Sequence, residues 1–210
     1  MKRFWVSLLT VLIYALAQFL PGMLLRSGLI QPEKGMETTQ FMIYTQVSLF
    51  IVAAILIILI NLYITNPTRL EAGVKESKRY IISWALLGFC IVMVYQVVVS
   101  LIYTLVLGQQ QQSPNTERLM AIAKQMPVFI ILISVVGPIL EEFVFRKVLF
   151  GELYNAIKGN RIVAFLIASI VSSLLFALAH NDIKFLPMYF GMGMLFSLAY
   201  TYTNRIAIPI

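Results

Sequence analysis

Two adjacent carboxylates, Glu141 and Glu142, lie between long apolar stretches of the chain. A charged side chain near the centre of a bilayer costs roughly 2.5–3.5 kcal/mol on insertion scales, so ionisable residues at that depth are rare and usually functional. Arg146 follows Glu142 by four residues, and the chain's single histidine, His180, ends a later apolar run. A carboxylate and an imidazole can activate water directly or by holding a divalent metal. The residue types therefore predict hydrolytic chemistry.

Helical spacing separates the two carboxylates. Neighbours on an α-helix point about 100° apart, whereas positions four apart share a face. Glu142 and Arg146 thus face the same side with the acid first, the order that favours an ion pair. Glu141 points elsewhere as the freer carboxylate, and Phe176 lies one turn before His180, where it can pack against the imidazole. The alternative is a charge network that only stabilises packing.

The histidine is predicted to reach the depth of the glutamates. Glu142 lies 17 residues before Gly159 and His180 lies 21 residues after it. In an antiparallel helical hairpin turning at Gly159, their heights differ by one turn, on the order of 6 Å. A solvated, inert histidine at the membrane boundary is the alternative. Ser172 and Ser173 on the same helix leave a serine–histidine pair open, although no acid is placed to orient it and no nucleophile elbow or His-Glu-x-x-His motif occurs.

The composition indicates a membrane protein. The chain is 60% hydrophobic and 12% charged, with a mean hydropathy of +0.88, which excludes an ordinary soluble domain. We predict an all-α, polytopic transmembrane helical bundle that forms a single domain over residues 1–210. The net charge of +7 does not indicate a nucleic-acid partner, because Lys and Arg gather in alternate loops. Cys90 is alone, so a disulfide framework and a CxxC metal site are excluded.

Six apolar segments should complete the span of a bilayer, and a seventh begins before residue 210. The predicted spans are 4–25, 41–64, 81–107, 127–157, 162–180 and 185–202, with 206–210 as the start of the seventh. Residues 108–125, which include Gln109 to Gln112, are predicted to be a polar loop. Gly191 and Gly193 in the sixth span should allow close helix approach.

The distribution of basic residues predicts the topology. Eleven of the 16 Lys and Arg lie in the amino end and in the segments 65–80, 146–161 and 203–205, and the remaining five lie in the other loops. The positive-inside rule then places the amino terminus in the cytoplasm of a multi-pass cell-membrane protein. The same topology puts His180 towards the outer end of its helix.

The motifs resemble those of a known family. Glu141-Glu142-x-x-x-Arg146 followed by Phe176-x-x-x-His180 is similar to the first two motifs of the CAAX protease and bacteriocin-processing (CPBP, or Abi) family, which includes the type II CAAX prenyl endopeptidases. The resemblance covers residues 127–210 and implies an intramembrane endopeptidase without a covalent acyl-enzyme. It implies that Glu141, Glu142 and His180 form the catalytic set, with Arg146 and Phe176 in support.

The resemblance also bears on cofactors and partners. It leaves zinc or another divalent metal, held by Glu141 and His180, open beside a glutamate-activated water. It implies a peptide or membrane-protein substrate in the bilayer, such as a leader, bacteriocin or pheromone precursor. The family's third motif, His-x-x-x-Asn, is absent, and Ile206 to Ile210 resembles the segment that leads into it, which predicts truncation. A degenerate membrane scaffold and a small proton-coupled transporter are the alternatives, although no inverted repeat supports transport.

Overall fold

The computed structural model of the chain describes residues 2–32, 34–108 and 113–210. These residues are helical and contain no β-strand, which confirms the all-α class. In chain order the elements are α1 (Lys2–Arg26), α2 (Thr38–Tyr63), a 3₁₀ turn (Lys78–Tyr80), α3 (Ile81–Leu107), α4 (Pro114–Gln125), α5 (Phe129–Ile131), the π-helix π1 (Leu132–Val136), α6 (Gly137–Glu141), the π-helix π2 (Glu142–Phe150), α7 (Gly151–Ala156), α8 (Arg161–Ala179) and α9 (Leu186–Thr203). The predicted loop at Gln109 to Gln112 lies outside the described residues.

Among the described residues, four helices are long and apolar enough to cross a membrane, as expected of a membrane protein. They are Lys2–Arg26, Thr38–Tyr63, Lys78–Val106 and Arg161–Ala179. Helical segments also cover the predicted fourth and sixth spans, but they are shorter than these four helices. Residues 206–209 form a turn, so the predicted start of a seventh span is not helical.

The chain divides into two compact units. The first consists of Met1–Asn66 and Ile122–Val144, and the second of Pro67–Ala121 and Phe145–Ile210. In the first unit α1 packs on α2, and α2 packs on π1 and α6. Gln46 on α2 donates from Nε2 to the carbonyl oxygen of Ala17 on α1 at 2.8 Å, the kind of interhelical hydrogen bond that stabilises helix pairs in lipid. Leu140 on α6, one residue before Glu141, is wholly buried.

In the second unit α8 packs along α9, and α9 also contacts α3. A Cβ atom built on Gly193 would lie 2.8 Å from Cβ of Ser173 on α8, and one built on Gly191 would overlap the ring of Tyr95 on α3. Both glycines therefore allow the close helix approach that the sequence predicts. Cys90 is exposed on α3, so it is not a core side chain.

The loop before α3 is fastened to the ends of α7 and α9. Thr68 Oγ1 shares a 2.8 Å hydrogen bond with the Tyr200 hydroxyl, and the backbone N–H of Arg69 donates to Asn155 Oδ1 at 2.9 Å. An ion pair of 3.2 Å joins the Glu71 carboxylate to Lys147. These bonds place residues 68–71 near the end of the second unit where α8 begins, and His180 lies at the opposite end of α8.

The prediction of a loop over residues 108–125 is wrong from Pro114 onward, where α4 forms. Ser113 starts this helix because its Oγ accepts from the N–H of Thr116 at 3.3 Å and its carbonyl accepts from Glu117. Pro114 occupies the first helical position, where its missing N–H is not needed. Glu117 in the first turn and Lys124 in the last turn suit the helix dipole. The polar composition of this segment indicates a loop, but Ser113 and Pro114 mark the start of a helix.

Replacing Gly193 with alanine is expected to destabilise the second unit by about 1–3 kcal/mol, because the added methyl group forces α8 and α9 apart. A second change, Ser173→Gly, removes the nearest Cβ atom and should recover part of this loss. The free energy of unfolding in mixed micelles measures both effects. Gly88→Ala on α3, where a Cβ meets nothing within 4 Å, is the matched control. An equal loss in Gly88→Ala would show that the effect is not one of packing.

Candidate active site

The two glutamates lie at the end of the first unit in different environments. Glu141 is the last residue of α6 and is partly exposed, whereas Glu142 is the first residue of π2 and is only 3% exposed. Pro138 near the start of α6 has a fixed φ that suits the first helical turn. A partly exposed carboxylate can reach water, and a buried one is held by the protein around it. The two carboxylates therefore differ in their access to water.

The helix that carries Glu142 and Arg146 is not the regular α-helix that the sequence predicts. Residues Glu142–Phe150 form a π-helix, with hydrogen bonds from i to i+5, a geometry that is found frequently at functional sites. The wider turn brings residues five apart, as well as four apart, towards one face. The 100° separation of the two glutamates therefore does not apply here, and the pairing of Glu142 with Arg146 stays a prediction.

The guanidinium of Arg146 is completely buried among aromatic rings of the second unit. Its Cζ atom lies 4.3 Å from the ring centroid of Phe176 on α8 and 5.0 Å from that of Phe196 on α9. Phe145 meets Phe176 edge to face at 5.3 Å. The faces of these rings attract a cation, and the planar guanidinium can stack on them. Phe196 was not predicted, because no motif or spacing in the sequence marks it.

His180 follows the last residue of α8, and its ring is fixed from two sides. Nδ1 lies 2.8 Å from the carbonyl oxygen of Phe176, and the two rings are 4.6 Å apart, edge to face. The predicted packing of Phe176 on the imidazole is confirmed. Because a carbonyl only accepts, Nδ1 carries a proton, and in the neutral imidazole Nε2 therefore keeps a lone pair. Tyr189 on α9 stacks on the other face at 4.0 Å.

The serine–histidine alternative does not match the contacts of α8. Ser172 Oγ donates to the carbonyl oxygen of Phe145 at 2.6 Å, which ties α8 to π2. Ser173 is 1% exposed and packs against Gly193. Neither hydroxyl bonds to His180 among the described residues. A nucleophilic serine would need that bond.

Three polar residues near His180 were missed by sequence reasoning. The hydroxyls of Tyr189 and Ser113 are 3.0 Å apart, and Ser113 Oγ donates to Asp182 Oδ2 at 2.5 Å. All three side chains are buried. The Ser-Pro pair at residues 113 and 114 was the one sequence feature that could have indicated a helix start there. No sequence feature indicated the contacts that these residues make between helices.

The donor groups of the described residues do not fit a zinc site with three protein ligands. No three His, Cys, Asp or Glu side chains within residues 2–32, 34–108 and 113–210 gather so that they could hold a metal ion. Catalytic zinc takes three protein ligands and one water, whereas the predicted pair, Glu141 and His180, supplies two. The chemistry below is therefore written with the chain's own groups.

The structure brings Arg146, Phe176 and His180 together within the second unit. Phe176 is the shared member, because its ring contacts both the guanidinium and the imidazole while its carbonyl accepts from His180. Glu141 and Glu142 belong to the first unit. The arrangement within the second unit orients an imidazole with a free Nε2 lone pair, which can accept a proton or a hydrogen bond from water.

Comparison with known proteins places this region in context. A family model described as type II CAAX prenyl endopeptidase Rce1-like matches residues 123–210. The chain is 61% identical over all 210 residues to the membrane-embedded CAAX protease MroQ of Staphylococcus aureus (strain USA300), of which it covers 85%. It is 34% identical over 214 aligned residues to the "Putative membrane peptidase YdiL" of Bacillus subtilis (strain 168), of which it covers 84%. No solved structure matches the chain significantly.

Proposed function

The chain belongs to the Rce1-like family of type II CAAX prenyl endopeptidases, and we propose that it is an intramembrane endopeptidase. The observation that carries this proposal is the 61% identity with a membrane-embedded CAAX protease over the whole length of the chain. The two motifs, which run from Glu141 to Arg146 and from Phe176 to His180, lie inside the region that the family model matches.

The proposed reaction is the direct attack of water on a peptide carbonyl. Glu141 acts as the general base and takes one proton from water, and the resulting hydroxide forms the new bond to the carbonyl carbon. The carbon–nitrogen bond then breaks, and the proton held by Glu141 passes to the leaving nitrogen. The partial exposure of Glu141 and the free Nε2 of His180 support these roles. His180 would accept a hydrogen bond from water through Nε2.

The role of His180 is thus to orient water, with Arg146 and Phe176 in support. The Nδ1 bond to the Phe176 carbonyl holds the ring in one tautomer. The buried Arg146 keeps Phe176 in place through its ring contact. Glu142, which is buried, is proposed to support the site and not to act as the base.

Cleavage is expected to persist in the presence of metal chelators. The His, Cys, Asp and Glu side chains of the described residues do not form a three-ligand metal site, and in the proposed mechanism Glu141 activates the water. EDTA or 1,10-phenanthroline should therefore leave the initial rate within about twofold of the untreated rate. The measurement is a fluorogenic assay in detergent micelles, and an added zinc peptidase controls for chelation. Loss of activity that returns on addition of zinc would contradict the glutamate mechanism.

The proposed substrate is a short peptide precursor that reaches the enzyme through the bilayer. A leader or pheromone precursor fits a chain whose candidate spans are long and apolar enough to cross the membrane, and a quorum-sensing pathway would use such a product. We also propose a cytoplasmic amino terminus from the distribution of Lys and Arg. His180, at the end of α8 opposite its basic start, would then lie towards the outer side.

The test of the function is cleavage by the purified chain in proteoliposomes. Candidate precursors are incubated with the wild type, Glu141→Gln and His180→Ala, and the products are identified by mass spectrometry. Cleavage by the wild type that both variants lose would support the proposal. Equal cleavage by all three proteins would refute the assignment of the residues.

A regulatory scaffold without catalysis is the second candidate function. A scaffold would bind a precursor or a partner in the same proteoliposomes and leave it intact. Binding without any product in the wild type would therefore select the scaffold.

A further inference from the structure

Tyr189 restrains the imidazole of His180 from another helix. The Nδ1 bond and the edge-to-face ring contact both come from Phe176, one turn earlier on the same helix. Tyr189 on α9 stacks on the open face, with an interplanar angle of 23° and a centroid distance of 4.0 Å. An offset or stacked aromatic pair contributes beyond its buried area. Removal of the Tyr189 contact would let the imidazole rotate about its side-chain bonds.

Tyr189 is itself held by a buried hydroxyl network. Ser113 Oγ donates its only proton to Asp182 Oδ2 at 2.5 Å, so the 3.0 Å bond to Tyr189 must have the tyrosine hydroxyl as donor. Ser113 Oγ also accepts from the N–H of Thr116 at 3.3 Å. Asn115 Nδ2 donates to the Tyr189 oxygen at 3.4 Å. The Ser113 hydroxyl thus uses its one donor and both of its acceptor sites. These three bonds fix its position more tightly than bonds to water would.

We propose that Tyr189, anchored by Ser113 and Asp182, is a positioning residue for His180. The start of α4 thereby controls the orientation of the imidazole, through a serine that both begins that helix and fixes the tyrosine. This inference rests on the proposed function, because the orientation of His180 affects a rate only if His180 acts on water. It adds three residues outside the two motifs to the groups on which hydrolysis depends.

The single histidine allows a direct test that does not depend on activity. Protein labelled with ¹⁵N-histidine in nanodiscs gives one imidazole spin system. The wild type should show a protonated Nδ1, an unprotonated Nε2 and ring protons shifted upfield by the stacked tyrosine. Tyr189→Phe keeps the ring but loses the hydroxyl anchor, and Ser113→Ala removes the anchor from the other side. In both variants the imidazole signals should broaden and move towards unstacked values.

Kinetics and matched variants complete the experiment. Both variants should lower kcat by about tenfold with little change in KM, because a misplaced group weakens the transition state more than substrate binding. Ser113→Thr keeps a hydroxyl and should restore the wild-type spectrum. Tyr95→Phe is the control, since it loses a hydroxyl bond of 2.9 Å to the carbonyl of Pro187 on the same α9 helix but does not touch His180.

The outcomes separate the inference from the proposed function. If Tyr189→Phe and Ser113→Ala change the imidazole signals no more than Tyr95→Phe does, Tyr189 does not position His180 and the inference is wrong. If the signals respond as expected but the wild type cleaves no precursor, positioning is upheld and the proteolytic function fails. If the signals respond and cleavage falls with them, both are supported.

Discussion

Glu141→Gln is expected to lower kcat for precursor cleavage by about 10³-fold, the size of effect that follows when a general base is lost. Glutamine has nearly the same shape but cannot take a proton from water. Because Glu141 is partly exposed, the free energy of unfolding should stay close to that of the wild type. KM should change little, since the carboxylate acts on water and not on substrate binding.

Glu142→Gln should show the opposite pattern. The Glu142 side chain is 3% exposed, and an amide cannot replace all the interactions of a buried carboxylate, so the variant should lose on the order of 2 kcal/mol of unfolding free energy. Its remaining folded fraction should still cleave. Exposed Glu37→Gln serves as a control for the loss of one carboxylate. Equal kcat losses in Glu141→Gln and Glu142→Gln would contradict the proposal that Glu141 is the general base and Glu142 only a supporting residue.

The sequence predicted best where contacts stay within one regular helix. The i,i+4 spacing of Phe176 and His180 was enough to predict their ring contact, because α8 is an α-helix there. The limits of α3 were also predicted correctly, since Gly108 ends that helix with a positive φ of 70°. Hydrophobic composition was likewise sufficient for the all-α class.

Other features depend on information that hydrophobic periodicity does not contain. The π-helix Glu142–Phe150 differs from an α-helix in its hydrogen-bond register, and both accept the same apolar pattern. The positions of Phe196 and Tyr189 follow from how α9 packs on α8, and no spacing rule within one segment sets that packing. The polarity of residues 114–125 predicts a loop, although Ser113 and Pro114 mark the helix start of α4.

The buried guanidinium of Arg146 should be the most sensitive structural position of the second unit. Arg146→Ala removes a side chain that is 0% exposed, leaves a cavity beside Phe176 and Phe196, and should lower the free energy of unfolding by about 3–5 kcal/mol. Because the Phe176 carbonyl holds Nδ1 of His180, activity should fall as well, even in the folded fraction.

Arg146→Lys separates charge from shape. It keeps the positive charge, and with it a cation–π attraction, but loses the flat guanidinium that can stack on the rings, so it should still cost about 1–2 kcal/mol, a part of the roughly 2 kcal/mol or more of a desolvated cation–π contact. Chemical unfolding in mixed micelles, with exposed Arg118→Ala as control, gives both values. If Arg146→Lys were as stable as the wild type, the ring contacts would contribute nothing beyond charge. The position of Phe176 beside His180 would then have to depend on contacts other than the one with Arg146.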